Sequence, residues 1–478
     1  MTALLLILIP LIGGLGAFFL KGEKQAKSWS LIVSIAALAV MVYTLLSGNP
    51  AYKLYSAPWL PQLGSSFSLM MDGMSSVLCL LTVIAYPIIF KTTWSSKYAS
   101  SNSFYGLMLL TMAGILGVFL AADGLLFYFF WELALVPVYF LCSKWGGEKR
   151  IAVTFKFFIY TFIGSLLMLV GFIWLYYQTP DASFSMQSLY AVKLSTAQQA
   201  WLFWLFFIAF AIKMPVFPFH TWQPDTYEQS PTAVTMVLSA LMVKMGLFAV
   251  VRWLIPLFPA GAYEFSNIVI GMSVIGMVYA SILAMKQDDL KRLIAYSSIA
   301  HIGLMSASLF TLNESALQGA MIQFFSHGVN VLGMWIVVEL IERQFGTRKI
   351  SELGGIAQKA QGLSILLVIV ALANVALPLT NAFIGEFLMF NGLFKFNVWF
   401  AAIGGLSIIL SAVYTLRMIQ KVFYGNTNDL TAKAVDISWF EKSGLVVIVI
   451  FIFVLGIFPK PVFALVNDTV TTILGIFK

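Results

Sequence analysis

Apolar residues in this chain come in long unbroken runs, many close to the roughly 20 residues that a helix needs to cross a hydrocarbon core. They predict spans near 3–20, 28–47, 75–91, 103–122, 124–143, 151–177 and 198–218, then near 231–253, 264–285, 293–312, 315–341, 362–391, 398–420 and 439–458. Runs of that length argue helices rather than the short alternating strands of a membrane barrel. The expected fold is an all-α polytopic membrane protein with about fourteen transmembrane helices. The apolar tail after Pro459-Lys460-Pro461 carries Asn467 and Asp468, which predicts an interfacial helix rather than a further span. Met1 to Leu20 has no basic flank or small-residue cleavage site, so it reads as a retained first span.

Two runs are interrupted. Lys213-Met-Pro-Val-Phe-Pro-Phe-His220 holds two prolines, each of which removes a backbone donor and clashes with the preceding turn. Ala376-Leu-Pro-Leu-Thr-Asn-Ala-Phe-Ile-Gly-Glu386 holds one proline and a polar pair at membrane depth. Each break falls in the fourth helix of a five-helix set. An odd number of spans reverses the topology of the next unit, so two broken helices in matching positions predict an inverted repeat. The chain then divides into helices 1–3 (1–102), a first five-helix repeat (103–253), a second, inverted one (264–422), and helix 14 with its tail (423–478).

Composition agrees: 60% of residues are hydrophobic and 10% charged, where about 25% charged is ordinary for a soluble domain. The net charge of +8 comes from basic residues scattered singly, which argues against a nucleic-acid partner and for lipid surroundings. Loops after odd-numbered spans hold nineteen of the 28 Lys and Arg, and the opposite side holds six. Cytoplasmic loops collect such residues, so both termini are expected on the periplasmic side of a bacterial inner membrane. Cys79 and Cys142 are the two cysteines, without a CxxC partner, which excludes thiolate-held iron-sulfur or structural zinc sites.

Against this background the charges inside the spans stand out. Each costs roughly 2.5 to 3.5 kcal/mol at a helix centre, so those retained should face the bundle interior and serve a purpose. They are Glu132, Lys156, Lys213, Lys244 and Glu386, joined by His301 and His327, with Asn374, Ser326 and Thr380 placed to orient water. A lysine, a glutamate and histidines that sense one another's charge can load and release protons. The plainer alternative is a structural Glu-Lys clamp. Lys156 lies about two turns from a basic loop and can snorkel. His220 can equally bond carbonyls freed by the break or carry protons. Asp225 and Glu228 read as loop or capping residues, and Glu339, Glu342 and Arg343 as a solvated helix end. The two span histidines could instead be haem ligands, but His301 falls early in its helix and His327 near mid-span, not at matched depth.

Five stretches carry a resemblance to a known family: Phe130-Trp-Glu-Leu-Ala-Leu-Val-Pro-Val-Tyr-Phe140, Ala211-Ile-Lys-Met-Pro-Val-Phe-Pro-Phe-His-Thr-Trp222, Asp289-Leu-Lys-Arg-Leu-Ile-Ala-Tyr-Ser-Ser-Ile-Ala-His301, Gln323-Phe-Phe-Ser-His-Gly328 and Pro378-Leu-Thr-Asn-Ala-Phe-Ile-Gly-Glu-Phe387. Together they resemble the antiporter-like membrane subunits of respiratory complex I, over nearly the whole chain. The resemblance implies a proton-translocating subunit with no cofactor of its own, FMN, iron-sulfur clusters and quinone being held by other subunits. It implies partners in the membrane arm, including two sister antiporter-like subunits. It also implies that Glu132 pairs with Lys213, that Lys244 is the central relay with His301 and His327 beside it, and that Glu386 hands protons to the outer side. Lys156 matches a recurrent lysine of the sixth span. Related subunits of cation/proton antiporters and membrane-bound hydrogenases more often carry lysine where this chain has Glu386, and they are the alternative reading. The run Gln223-Pro-Asp-Thr-Tyr227 departs from the family's Leu-Pro-Asp-Ala-His pattern, so the family histidine is replaced by Tyr227.

Overall fold

The computed structural model describes residues 1–477, apart from the side chain of Tyr52. Its helices of eight or more residues are α1 (Thr2–Ala17), α2 (Glu23–Ser47), α3 (Gly73–Thr92), α4 (Ser101–Leu120), α5 (Gly124–Trp145), α6 (Arg150–Tyr176), α7 (Thr196–Lys213), α8 (Trp222–Gln229), α9 (Thr232–Leu257), α10 (Ser266–Met285), α11 (Leu290–Phe310), α12 (Glu314–Phe345), α13 (Gln361–Asn374), α14 (Asn381–Phe396), α15 (Val398–Val422), α16 (Trp439–Ile457) and α17 (Lys460–Gly475). Among the described residues, twelve helices are long and apolar enough to cross a membrane, and α1 and α13 are shorter apolar helices. The chain is therefore mainly helical and polytopic.

Burial sorts these helices into layers. The most sequestered spans are α9, α11 and α12, whereas α15 and α16 leave most of their surface outward. A helix apolar on every side belongs inside a bundle or against lipid. The three inner helices carry the buried ionisable groups Lys244, His301 and His327.

Both interruptions are real. Helix α7 stops at Lys213, non-helical backbone follows, and α8 resumes at Trp222. The run expected as one span over 362–391 is instead α13 and α14, separated by Val375–Thr380. There Ala376 (φ 56°) and Leu379 (φ 73°) adopt the left-handed conformation that side chains disfavour. Such backbone persists only where its surroundings over-determine it.

The mainly helical fold carries one further element that the run lengths do not foresee, an antiparallel hairpin, β1 (Leu54–Leu60) and β2 (Ser65–Met70), lying between α2 and α3. Pro58 and Pro61 disguised the first strand, but an edge strand tolerates a missing donor. The buried Asp123 ties the hairpin to the bundle, accepting from Ser65 Oγ (2.8 Å) and the Ser66 N–H (3.0 Å) while capping α5. The tail helix α17 forms as expected and buries Val466, Val470 and Ile473.

A further tie joins Asp72, the N-cap of α3, to Arg252 near the end of α9, with 2.7 Å between the charged groups. Burial alone would raise the Asp72 carboxyl, but Arg252 and Ser75 hold it below its ordinary value. The pair's stabilisation is thus complete above the unfolded carboxyl pKa of about 3.9 and is lost as pH falls through the lower folded value. We expect Asp72→Asn to cost about 3 kcal/mol of folding free energy at neutral pH, as for a largely buried pair, lowering the unfolding midpoint and flattening the acid limb. Thermal unfolding from neutral to acid pH checks this; an unchanged midpoint would show that the pair contributes nothing.

Candidate functional site

The centre of the molecule is built around Lys244, which is wholly buried in α9. Two wide helical turns, Leu238–Met242 and Val250–Leu254, flank it; insertions of this kind are frequent at functional sites. The Ser239 carbonyl, five residues back, accepts from Nζ at 3.0 Å. On α12, His327 Nδ1 lies 2.7 Å from the same Nζ, and its Nε2 lies 3.2 Å from Ser298 Oγ on α11. The His327 ring stands 5.7 Å from that of His301. His301 Nδ1 in turn lies 3.0 Å from Glu386 Oε1. Four of the seven predicted residues therefore form one line: Lys244, His327, His301, Glu386.

Helix packing explains the convergence. At Gly385 a Cβ would sit 2.5 Å from Gln323 Oε1 and 3.1 Å from the Gly319 carbonyl, so α14 lies directly on α12. That contact brings Glu386 beside Gln323, whose Nε2 donates to Oε1 at 3.4 Å. At Gly246 a Cβ would lie 2.8 Å from the Met214 nitrogen, which presses the broken end of α7 against α9 near Lys244.

Lys213 occupies that broken end. It is 3% exposed, its Nζ has no hydrogen-bond partner among the described residues, and it sits 5.5 Å from the centre of the Trp131 ring. Glu132 follows Trp131 in α5, and the Tyr128 and Ser165 hydroxyls stand beside its carboxylate. Among the described residues Glu132 and Lys213 form no direct ion pair, and Nζ and Glu132 Oε1 have no hydrogen-bond partner, but each lies within reach of the other's charge. The indole face holds the ammonium, and the two hydroxyls hold the carboxylate.

Lys156 stands apart from the buried line, in keeping with a lysine that can snorkel. It is half-exposed and binds Asp225 (2.9 Å) and the Thr221 carbonyl (2.9 Å) instead of joining the buried line. Asp225 leads into a network that sequence reasoning did not find. Arg292 bridges Asp225 (3.0 Å) and Glu228 (2.8 Å), while Arg348 binds Asp289 (2.5 Å) and Glu342 (2.9 Å). Glu342 also receives the buried Lys291 at 3.3 Å, so it is no simple solvated helix end. Beside this network a cavity of about 680 Å³ opens at the lysine- and arginine-rich face, with Ser230, Thr232 and Lys291 in its lining. The buried side chains of Gln223 and Tyr227 on α8 and of Ser239, five residues before Lys244 on α9, lie close together and leave polar atoms open to water. Such atoms are where water makes bridges.

The secondary candidates sort by their bonds. Ser326 Oγ donates to the Asn381 carbonyl (3.0 Å) and Thr380 Oγ1 to the Leu377 carbonyl (2.6 Å), so both brace the break. Asn374 donates to Ser297 Oγ at 3.3 Å. His220 packs its ring against Phe217 and Tyr279, near Lys156, which binds the carbonyl of the next residue, Thr221, and outside the buried line. Gln323 and Ser297 went unnoticed, although each lies one helical turn before a histidine and therefore on its face.

Comparison with known proteins decides the kinship. The family described as "NADH:quinone oxidoreductase/Mrp antiporter, TM" matches residues 121–411. The chain belongs to this family. Its similar relatives include the F(420)H(2) dehydrogenase subunit M of Methanosarcina mazei, 36% identical with 96% of this chain and 95% of the relative covered. The NADH-quinone oxidoreductase subunit M of Escherichia coli is 33% identical, covering 96% and 94%. Among solved structures, a chain of respiratory complex I from Thermus thermophilus with bound NADH superimposes at a TM-score of 0.93 with 27% identity over the full length of both. A chain of the membrane-bound sulfane sulfur reductase, an archaeal respiratory membrane complex, matches at 0.90 with 23% identity over 99% and 98%, a likeness of fold alone. The match to residues 121–411 contains all seven predicted site residues.

The α12–α14 apposition makes a direct prediction. Gly385→Val should lower the thermal unfolding midpoint, overpacking costing about 1–3 kcal/mol. Gly405→Ala, where a Cβ meets nothing within 4 Å, should not. Equal midpoints for the two variants would show that α14 does not rest on α12 as described.

Proposed function

We propose that this chain is a proton-translocating, antiporter-like subunit in the membrane arm of a respiratory complex I. The observation that carries the reading is the buried line from Lys244 through His327 and His301 to Glu386. Lys244 Nζ and His327 Nδ1, 2.7 Å apart, share a single hydrogen bond and cannot both hold an extra proton. Passing that proton to His327 brings positive charge beside His301 and Glu386, which favours onward transfer to the carboxylate. Lys213, on the helix end pressed against α9, adds a second cation whose approach would push the proton off Lys244.

In this reading the cavity lined by Ser230, Thr232 and Lys291 admits protons from the cytoplasmic side, with Tyr227 and Ser239 leading to Lys244. Polar side chains beyond Glu386, among them Ser315 and Asn391 (3.1 Å apart) and Gln318, lead outward between α12 and α14. The fold supports counting α7 with α8, and α13 with α14, as single broken spans. That gives fourteen spans in two inverted five-helix repeats, with both termini periplasmic in a bacterial inner membrane. The chain holds no redox group in this scheme; FMN, iron-sulfur clusters and quinone belong to other subunits, and sister antiporter-like subunits flank it. Electron transfer there acts on this chain through charge and conformation. Relatives named for different electron donors, F(420)H(2) and NADH, fit this division. The second reading, a cation/proton antiporter or membrane-bound hydrogenase subunit, is favoured less because Glu386 closes the line with a carboxylate.

The test compares native complex with Lys244→Met and Lys213→Met in inverted membrane vesicles at matched assembly, reading NADH oxidation and acidification together. Both activities should fall about 10²-fold or more, the loss expected of a proton-transfer group. Native rates in both variants would overturn the assignment. Acidification driven by a sodium gradient without NADH would instead support the antiporter reading.

A further inference from the structure

A second set of polar groups converges on His301 from α15. Tyr414 is buried, and its hydroxyl donates to Ser297 Oγ at 2.9 Å. Asn374 Nδ2 donates to the same oxygen at 3.3 Å. Having accepted twice, Ser297 keeps its own hydrogen for an acceptor further on. Ser297 lies one turn before His301 on the same face of α11. His301 Nδ1 is engaged by Glu386, whereas Nε2 is buried without a hydrogen-bond partner, as is Ser411 Oγ. A gap large enough for about one water molecule is bordered by His301, Glu386, Ser411 and Tyr414. Tyr414 also lines a separate cavity of about 330 Å³ that opens at the basic face between the ends of α10, α11 and α15, beside Lys286, Arg417, Met418 and Lys421.

We propose that these groups form a second inlet, which carries protons from the basic face through Tyr414 and Ser297 to His301 Nε2 without passing Lys244. The proposal rests on the proton-translocation reading above. The bookkeeping is that of a hydroxyl relay. A water in the cavity gives a proton to the Tyr414 oxygen as Tyr414 gives its own to Ser297. Ser297 gives its hydrogen, through one water, to His301 Nε2, and the imidazolium releases its Nδ1 proton to Glu386. One proton enters and one leaves, and both hydroxyls regain a hydrogen. The direction agrees with the geometry, since Tyr414 is the donor to Ser297 and Nε2 is the free nitrogen of the ring. The inlet thus adds a second way of loading His301, while discharge of His301 to Glu386 still requires the Lys244 charge that drives the proton onward, so loss of Lys244 stops the line and loss of the inlet only slows it.

The experiment uses the intact complex in inverted vesicles, whose exposed face is the basic one. Tyr414→Phe, Ser297→Ala and the cavity-filling Met418→Trp should each lower NADH-driven acidification roughly threefold. This is less than the loss expected for a sole proton-transfer group, about 10²-fold or more, because loading through Lys244 continues. Ser297→Thr, which keeps the hydroxyl, should restore the rate. A purely structural Tyr414-Ser297 bond would leave Met418→Trp inert. Independently of activity, a Ser411→Cys complex should react with silver ion from the basic face faster than native complex, and Met418→Trp should protect it; Ser407→Cys, bordering the same gap, serves if that variant does not assemble. Native acidification in Tyr414→Phe, or no silver reaction from the basic face, overturns the inlet. If Lys244→Met is also inert, the translocation reading itself falls; if it abolishes pumping while Tyr414→Phe does not, only the inlet does.

Discussion

The hydrogen bond between Lys244 and His327 is the constraint on which the rest of the structure depends. An ammonium in a hydrocarbon-like interior is tolerable only where another group accepts its hydrogens. A neutral imidazole nitrogen at 2.7 Å and a helix carbonyl at 3.0 Å do this for Lys244. Both partners must be held in place from outside. The wide turns of α9 supply the carbonyl, Ser298 fixes the far nitrogen of the ring, and the surrounding inner helices keep lipid away.

The same requirement explains the breaks. A continuous helix satisfies its own backbone and offers nothing to a neighbour. Where α7 ends, the chain sets Lys213 against α9; where α13 ends, the backbone takes left-handed conformations at Ala376 and Leu379 so that α14 can restart on α12. The glycines at 246, 319 and 385 permit the close approaches that small residues allow between membrane helices. Charge, break and glycine are thus parts of one arrangement.

The ionic network at the basic face has a different character. Its members are partly exposed and linked through several partners, so each pair alone adds little. Its placement matters more, because Asp225 and Glu228 belong to α8, the far half of the broken helix. Through Arg292 and Arg348 that half is connected to α11 and to the loop after α12. A movement of α8 would therefore alter charge beside the cavity and backbone beside Lys213 together.

Much of this was legible in the residues. Run length and composition dictate helices in a membrane, because a helix satisfies its own backbone there and the runs are too long for barrel strands, and the prolines mark the breaks. Charges at membrane depth identified Lys213, Lys244, His301, His327 and Glu386, because insertion cost makes each conspicuous. Tertiary structure alone decided who touches whom. Glu132 and Lys213 are near in pattern, yet an indole and two hydroxyls separate their interactions; Lys156, conspicuous by the same rule, reaches out to Asp225. Tyr414, Ser297 and Gln323 carry no charge and cost little to insert, so insertion cost does not single them out. Their importance comes from helices far apart in the chain meeting at one place, and a linear pattern records periodicity within a helix, not the neighbour it will face.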